Sequence, residues 1–88
     1  MPAPIRVLVT DDSVVLRLLI TDVLSGDPEI EVVGTAVNGK NALDKLPQLK
    51  PDIMTLDIEM PIMDGLQTLV EVRKTNKKLP IIMFSTLT

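Results

Sequence analysis

The chain has 88 residues, no cysteine, no histidine, one aromatic residue and a formal net charge of −3. This length allows one compact domain at most, and the missing residue types exclude disulfides, thiolate or imidazole metal sites and any imidazole base, so chemistry must use carboxylates, hydroxyls and amines. The negative net charge argues against nucleic-acid binding. No apolar run is long enough to span a membrane, and we expect a cytoplasmic protein.

The first part of the chain predicts a strand, a helix and a second strand. Ile5 to Val9 is a short apolar strand, and aliphatic residues then recur at helical spacing from Val14 until Gly26. Asp12 or Ser13 is the expected cap, because each can accept hydrogen bonds from the free N–H groups of a helix N-terminus. The β-branched segment 30–36 follows as an extended strand.

The middle of the chain predicts a turn and a second amphipathic helix. The Asn38-Gly39 pair is typical of a turn. The helix follows from the spacing of four apolar residues, Ala42, Leu43, Leu46 and Leu49. Pro47 interrupts this pattern and lacks a backbone N–H, so we expect the helix to kink or to end near Leu46.

The last part predicts a third strand, a third helix and a fourth strand. The run Ile53 to Leu56 ends at Asp57, and a loop punctuated by Pro61 and Gly65 spans 58–65. Asp64 is the expected cap of the third helix, and its predicted buried stripe is Leu66, Leu69 and Val72. Residues Ile81 to Phe84 are apolar at every position, which is typical of a strand covered on both faces.

Alternating strands and helices predict an α/β fold with a doubly wound parallel sheet. We expect a single partial domain over residues 1–88. Because the fourth strand looks central and nothing follows to cover it, we expect a truncated domain. Its uncovered strand edge would then favour self-association or domain swapping.

Three carboxylates follow predicted strands. Asp11 and Asp12 end the first strand and Asp57 ends the third. Ligands of open α/β sheets bind beyond the carboxyl ends of strands, so in a strand order 2-1-3-4 these side chains would converge. Carboxylates held so close repel one another or require a cation, and an all-oxygen site suits Mg²⁺. The backbone carbonyl of Glu59 is a further candidate ligand.

A carboxylate beside Mg²⁺ can act as a nucleophile toward phosphorus. Asp57 is the candidate phosphoacceptor, because it lies opposite the acidic pair rather than within it. Ser85 ends the fourth strand and can donate a hydrogen bond to a phosphoryl oxygen. Thr86 follows, and its small side chain would leave room at the mouth of the crevice.

Short motifs support this interpretation. They read Val9-Thr10-Asp11-Asp12-Ser13, Leu56-Asp57-Ile58-Glu59-Met60-Pro61 and Met63-Asp64-Gly65-Leu66, followed by Pro80-Ile81-Ile82-Met83-Phe84-Ser85. In these motifs the chain resembles the flavodoxin-like receiver domains of two-component signalling. The resemblance implies a metal-binding pair at Asp11 and Asp12, phosphorylation of Asp57, a metal-ligating carbonyl at Glu59 and a switch hydroxyl at Ser85. It also implies a fifth βα region with a phosphoryl-contacting lysine, which we expect to be missing.

Within that family, segments 27–36, 57–61 and 85–88 are similar to the chemotaxis protein-glutamate methylesterases. The resemblance implies a receiver in front of a hydrolase domain that demethylates chemoreceptors and deamidates their glutamines. A chemotaxis histidine kinase would phosphorylate the receiver and relieve its inhibition of that domain. The chain has no histidine, so the esterase chemistry itself must lie outside it and we expect no enzyme activity here.

Two other functions fit the same residues. One is the receiver of a transcription factor or of a stand-alone adaptor. The other is a phosphohydrolase with Asp57 as nucleophile and Glu59, two residues later, as general acid. Steady phosphatase turnover would favour the second alternative.

Overall fold

The chain forms a four-stranded sheet with three helices in a computed structural model that describes residues 3–85. The elements are β1 (Ile5–Thr10), α1 (Val14–Ser25), β2 (Ile30–Ala36), α2 (Gly39–Leu49), β3 (Ile53–Asp57), α3 (Gly65–Thr75) and β4 (Ile81–Phe84). Their strand order is β2-β1-β3-β4, and every pair is parallel. The predicted α/β fold and its strand order are confirmed.

The main core lies between the sheet and helices α2 and α3. Leu8, Met54 and Leu56 are fully buried there and pack with Ala42 of α2 and Val72 of α3. Side chains alternate between the two faces of a strand, so the buried neighbours of Leu8 in β1 point to the opposite face, on which α1 packs. Strand β1 is therefore covered on both faces, which is why Val7, Leu8 and Val9 form a continuous apolar run.

Helix α1 presents an apolar surface to solvent. Of the residues described, none in α1 is buried. Five large apolar side chains on it are more than half exposed: Val14, Val15, Leu18, Leu19 and Val23. The helical spacing of these residues correctly predicted the helix, but it did not identify a buried face.

The start and end of α2 differ from the sequence prediction. Asn38 caps the helix by accepting from the N–H of Asn41 at 2.8 Å, so Asn38 and Gly39 begin the helix rather than form a separate turn. The helix also runs through Pro47 to Leu49, and the predicted end near Leu46 was wrong. A proline in the last turn removes a single intrahelical bond, and the N–H of Lys50 still closes the helix on the carbonyl of Leu46 at 2.9 Å.

The cap of α3 was predicted correctly, and its buried face in part. Asp64 and Gln67 form a capping box, in which each side chain accepts from the other residue's backbone N–H. Val72 is buried as expected, but Leu66 is 58% exposed. The buried positions are Gly65, Thr68 and Val72. A Cβ at Gly39 of α2 would collide with the side chain of Thr68, so the two helices are in close contact at that position.

Strand β4 lies at the edge of the sheet in the part of the chain that the structure describes. It pairs with β3, and its Ile82 is 54% exposed, so the expected cover on both faces is not found within residues 3–85. No helix among these residues has the length and apolar character that a bilayer crossing requires.

Candidate metal centre

The carboxyl ends of β1 and β3 bring three aspartates together. The two strands are parallel neighbours whose register pairs Thr10 with Leu56, so the residues that follow each strand lie side by side. One carboxylate oxygen from each of Asp11, Asp12 and Asp57 lies within 4.8 Å of the other two. Asp11 and Asp57 are buried, whereas Asp12 is exposed. The cluster is therefore open to solvent on one side.

Most polar groups of Asp11 are held by hydrogen bonds. Its N–H donates to the carbonyl of Ala36 at 3.1 Å, and its Oδ1 accepts from the N–H of Ser13 at 2.8 Å. Its carbonyl accepts from the guanidinium of Arg17, also at 2.8 Å. Its Oδ2 is buried and has no hydrogen-bond partner within residues 3–85. An unsatisfied buried oxygen is costly, so Oδ2 is well suited to a metal ion.

The loop after β3 holds Asp57 from the other side. Its Oδ1 accepts from the N–H of Glu59 at 3.1 Å. Ile58 donates its N–H to the carbonyl of Phe84 at 2.9 Å and accepts at its own carbonyl from Gly65 at 2.8 Å. A Cβ at Gly65 would lie 2.4 Å from the carbonyl oxygen of Asp57. Glycine is thus needed for α3 to begin this close to the site.

The environment raises the pKa of Asp57 above its ordinary value of 3.8. Burial is the largest cause, and the negative charges of Asp11, Asp12 and Glu59 act in the same direction. The hydrogen bond from the Glu59 N–H opposes them by stabilising the ionised carboxylate. A positive charge in the cluster would relieve both the burial cost and the repulsion. The donors are all oxygen atoms, and these residues fit a hard divalent cation such as Mg²⁺.

Ser85 and Glu59 complete the predicted set of site residues. Ser85 is exposed at the end of β4, and its hydroxyl donates to Oε1 of Glu59 at 3.4 Å. The β3–β4 register pairs Asp57 with Phe84, so Ser85 follows directly beside the acidic cluster. The sequence predicted a metal-ligating carbonyl for Glu59, and its side chain served as general acid only in the phosphohydrolase alternative. The contact of that side chain with Ser85 was not foreseen. Thr86 lies outside the described residues.

Arg17 is a site residue that the sequence reasoning missed. Its bond to the Asp11 carbonyl links α1 to the loop that carries the acidic pair. The available signal was its position, since it is the single charged residue in the apolar run from Val14 to Ile20. A lone charge in such a run indicates a specific polar partner more strongly than a charge on a solvated face does.

Residues 7–88 match the family described as "Response regulator receiver domain". A protein-glutamate methylesterase/protein-glutamine glutaminase of Nocardioides sp. is 66% identical over 84 residues, which cover 96% of this chain and 23% of that protein. The same-named protein of Trichodesmium erythraeum is 53% identical over 83 residues, covering 94% and 24%. The chain thus spans about a quarter of the length of these relatives.

Solved structures give the same picture. The response regulator domain of Thermotoga maritima CheB superposes with a TM-score of 0.89 at 42% identity, over 97% of this chain and 63% of that one. A chain of the CheX-CheY-BeF3-Mg complex from Borrelia burgdorferi superposes with a TM-score of 0.90 at 34% identity, over 97% of this chain and 64% of that one. Both similarities cover nearly all of the chain.

Proposed function

The chain belongs to the family of response regulator receiver domains, and we propose that it is a phosphoacceptor module in which Asp57 takes a phosphoryl group with the help of Mg²⁺. The observation that carries this proposal is the convergence of three carboxylates within 4.8 Å at the ends of β1 and β3. The raised pKa of Asp57 favours a cation in the cluster, and so does Oδ2 of Asp11, which has no hydrogen-bond partner among residues 3–85. The similarity to a receiver-fold complex that contains BeF3 and Mg supports the choice of ion.

We assign the metal ligands to four residues that lie at these strand ends. The carboxylates of Asp11, Asp12 and Asp57 and the backbone carbonyl of Glu59 would hold Mg²⁺. When bound, the ion supplies positive charge that offsets the charge of the transferring phosphoryl group. Asp12 is exposed, so we expect a phosphoryl donor to approach the buried Asp57 from that side.

The transfer itself needs only Asp57 as nucleophile. One carboxylate oxygen attacks phosphorus and forms the new P–O bond while the bond from phosphorus to the donor breaks. The leaving group keeps that electron pair, departing as a carboxylate when the donor is an acyl phosphate, and the product is an aspartyl phosphate. The Glu59 N–H on Oδ1 of Asp57 fixes the rotation of the carboxylate, so its other oxygen is free to face the donor.

Ser85 would report the change. Its hydroxyl now donates to Glu59 over a long 3.4 Å contact, and a phosphoryl oxygen would be a stronger acceptor. Moving this donor from Glu59 to the phosphoryl group would shift the end of β4. We propose this exchange as the step that converts phosphorylation into a conformational signal.

We further propose the biological setting from the relatives. They are named as methylesterases and glutaminases, so the chain would be a partial receiver domain, over residues 1–88, that controls a hydrolase domain outside it. Its donor would be a cytoplasmic chemotaxis histidine kinase, and the chemoreceptors would be affected indirectly through the hydrolase. The receiver itself would bind neither nucleic acid nor membrane and would not be an enzyme. The exposed edge of β4 would allow self-association or domain swapping.

Intact-mass spectrometry tests the proposal. The chain is incubated with a small acyl phosphate in the presence of Mg²⁺ or of EDTA, beside Asp57→Asn and the control Asp44→Asn, which changes an exposed aspartate on α2. We expect one added phosphoryl group in the wild type and in Asp44→Asn, only with Mg²⁺, and none in Asp57→Asn. Phosphorylation of Asp57→Asn to the same extent would contradict the proposal, and continuous release of phosphate would favour a phosphohydrolase.

A further inference from the structure

We propose that Arg17 is a positioning residue that holds the acidic loop in its metal-binding form, an inference that rests on the proposed function of the site. Its guanidinium donates to the carbonyl of Asp11 at 2.8 Å. Together with the bonds from Asp11 to Ala36 and Ser13, this contact occupies the N–H, the carbonyl and Oδ1 of Asp11. Only the buried Oδ2 remains without a partner within residues 3–85.

Arg17 acts on the backbone rather than on a carboxylate. The structure shows no ion pair between Arg17 and an acidic side chain in the part of the chain that it describes, although three carboxylates lie nearby. A guanidinium bonded to a peptide carbonyl fixes the orientation of that peptide, and hence the direction in which the next side chain points. Here the next side chain is that of Asp12, the exposed member of the acidic pair.

The position of Arg17 on α1 is unfavourable without this bond. It is the fourth residue of the helix, close to the N-terminus, where the helix dipole disfavours a cation. The contact with Asp11 offsets this cost, which supports a specific role in the adjacent loop.

Charge and geometry predict opposite effects on metal binding. A positive charge near the cluster repels Mg²⁺, so removing it would tighten Mg²⁺ binding if Arg17 acted through charge alone. If Arg17 positions the loop, its removal lets Asp11 and Asp12 relax apart and weakens binding. Because the substitution removes one hydrogen bond from a charged donor, we expect Arg17→Met to bind Mg²⁺ roughly 3- to 10-fold more weakly than the wild type.

The experiment is calorimetric titration of the metal-free chain with Mg²⁺. The matched control is Arg6→Met, because Arg6 makes the same kind of bond, guanidinium to the Lys50 carbonyl at 2.8 Å, near the opposite end of β1. We expect Arg6→Met to keep the wild-type affinity. An affinity of Arg17→Met equal to or tighter than that of Arg6→Met would overturn the inference.

A second variant covers a loss of folding. Arg17→Lys keeps the charge but offers a point donor on a shorter side chain, so we expect Mg²⁺ binding roughly 2- to 5-fold weaker than in the wild type. Circular dichroism in EDTA shows which variants fold. If Arg17→Met does not fold, an Mg²⁺ affinity of Arg17→Lys equal to that of the wild type overturns the inference.

The same samples separate this inference from the proposed function. They are treated with the acyl phosphate at saturating Mg²⁺, and their intact masses are measured by mass spectrometry. Mg²⁺ binding that depends on Arg17, without any gain of a phosphoryl group, would support the positioning role and contradict the phosphoacceptor function. A gain of a phosphoryl group, with unchanged Mg²⁺ affinity in both Arg17 variants, would support the phosphoacceptor function and contradict the positioning role.

Discussion

Replacing Asp57 by asparagine is expected to stabilise the metal-free chain. Asparagine has the shape of aspartate and its Oδ1 can still accept from the Glu59 N–H, so the main change is the loss of one buried negative charge. That charge lies within 4.8 Å of oxygens from Asp11 and Asp12. The substitution therefore removes repulsion and burial cost while it keeps the packing.

The size of the effect follows from the separation of the charges. At 4.8 Å, a pair of like charges repels by about 1 kcal/mol in water and about 3 kcal/mol at an effective dielectric constant of 20. Asp12 is exposed, which places its repulsion near the lower value, and carboxylates can relax apart. We expect a gain of roughly 2 kcal/mol in unfolding free energy, or a rise of roughly 8 to 16 °C in Tm for a domain of this size.

The pH dependence has a definite sign. Folding raises the pKa of Asp57 above 3.8, so the native state binds this proton more tightly than the unfolded state does. The wild type therefore loses stability as pH rises from about 3.8 through the raised pKa of Asp57. The Asp57→Asn variant lacks this contribution, because an asparagine side chain does not titrate. The difference in unfolding free energy between Asp57→Asn and the wild type should be absent well below pH 3.8. It should grow as pH rises from 3.8 through the raised pKa of Asp57, and stay constant at higher pH.

Thermal unfolding by circular dichroism measures this, because the chain has one aromatic residue and little intrinsic fluorescence. Both proteins are followed in EDTA across the pH range, with the exposed Asp44→Asn as control, which should match the wild type. Mg²⁺ at neutral pH should stabilise the wild type more than Asp57→Asn, and so reduce the difference in Tm between the two proteins. An Asp57→Asn variant no more stable than the wild type in EDTA at neutral pH would refute the reasoning.

Three other substitutions test the geometry around the cluster. Gly65→Ala should cost about 2 to 4 kcal/mol in chemical denaturation, because its Cβ would lie 2.4 Å from the carbonyl oxygen of Asp57, whereas Gly26→Ala, with its nearest contact at 3.4 Å, should be near neutral. Equal costs for the two would contradict the close approach. Asp64→Ala should lose about 1 kcal/mol in the same assay through its capping box, and no loss would show the cap to be unimportant. Ser85→Ala should leave Mg²⁺ affinity unchanged by calorimetry, since the hydroxyl contacts Glu59 and not the aspartates, and weaker binding would place it in the metal site.

The sequence predicted the fold and the acidic cluster because both depend on local signals. Apolar runs that stop at Asp11 and Asp57 mark two strand ends, and parallel neighbours in a doubly wound sheet bring such ends together. The capping signal at Asp64 is local in the same way, and the capping box confirms it.

The errors arose where tertiary contacts decide. Leu66 was expected in the core of α3 because it is apolar, but the close approach of α2 and α3 favours the small Thr68 on the buried face. Pro47 was expected to kink α2 or to end it near Leu46, yet a proline this late in a helix removes only one intrahelical hydrogen bond, and α2 continues to Leu49. The bond from Arg17 to Asp11 could not be derived from spacing, since it depends on how the side chain folds back over the helix start.

The site of phosphorylation can be mapped by hydride reduction followed by peptide sequencing in a mass spectrometer. Hydride converts an aspartyl phosphate to the corresponding alcohol and leaves a free carboxylate unchanged, so the modified position is marked permanently. After treatment with an acyl phosphate and Mg²⁺, we expect the mark at Asp57, and its loss in EDTA. A mark at Asp11, Asp12 or Glu59 instead, or the same mark at Asp57 without Mg²⁺, would contradict a metal-assisted phosphoacceptor at this position.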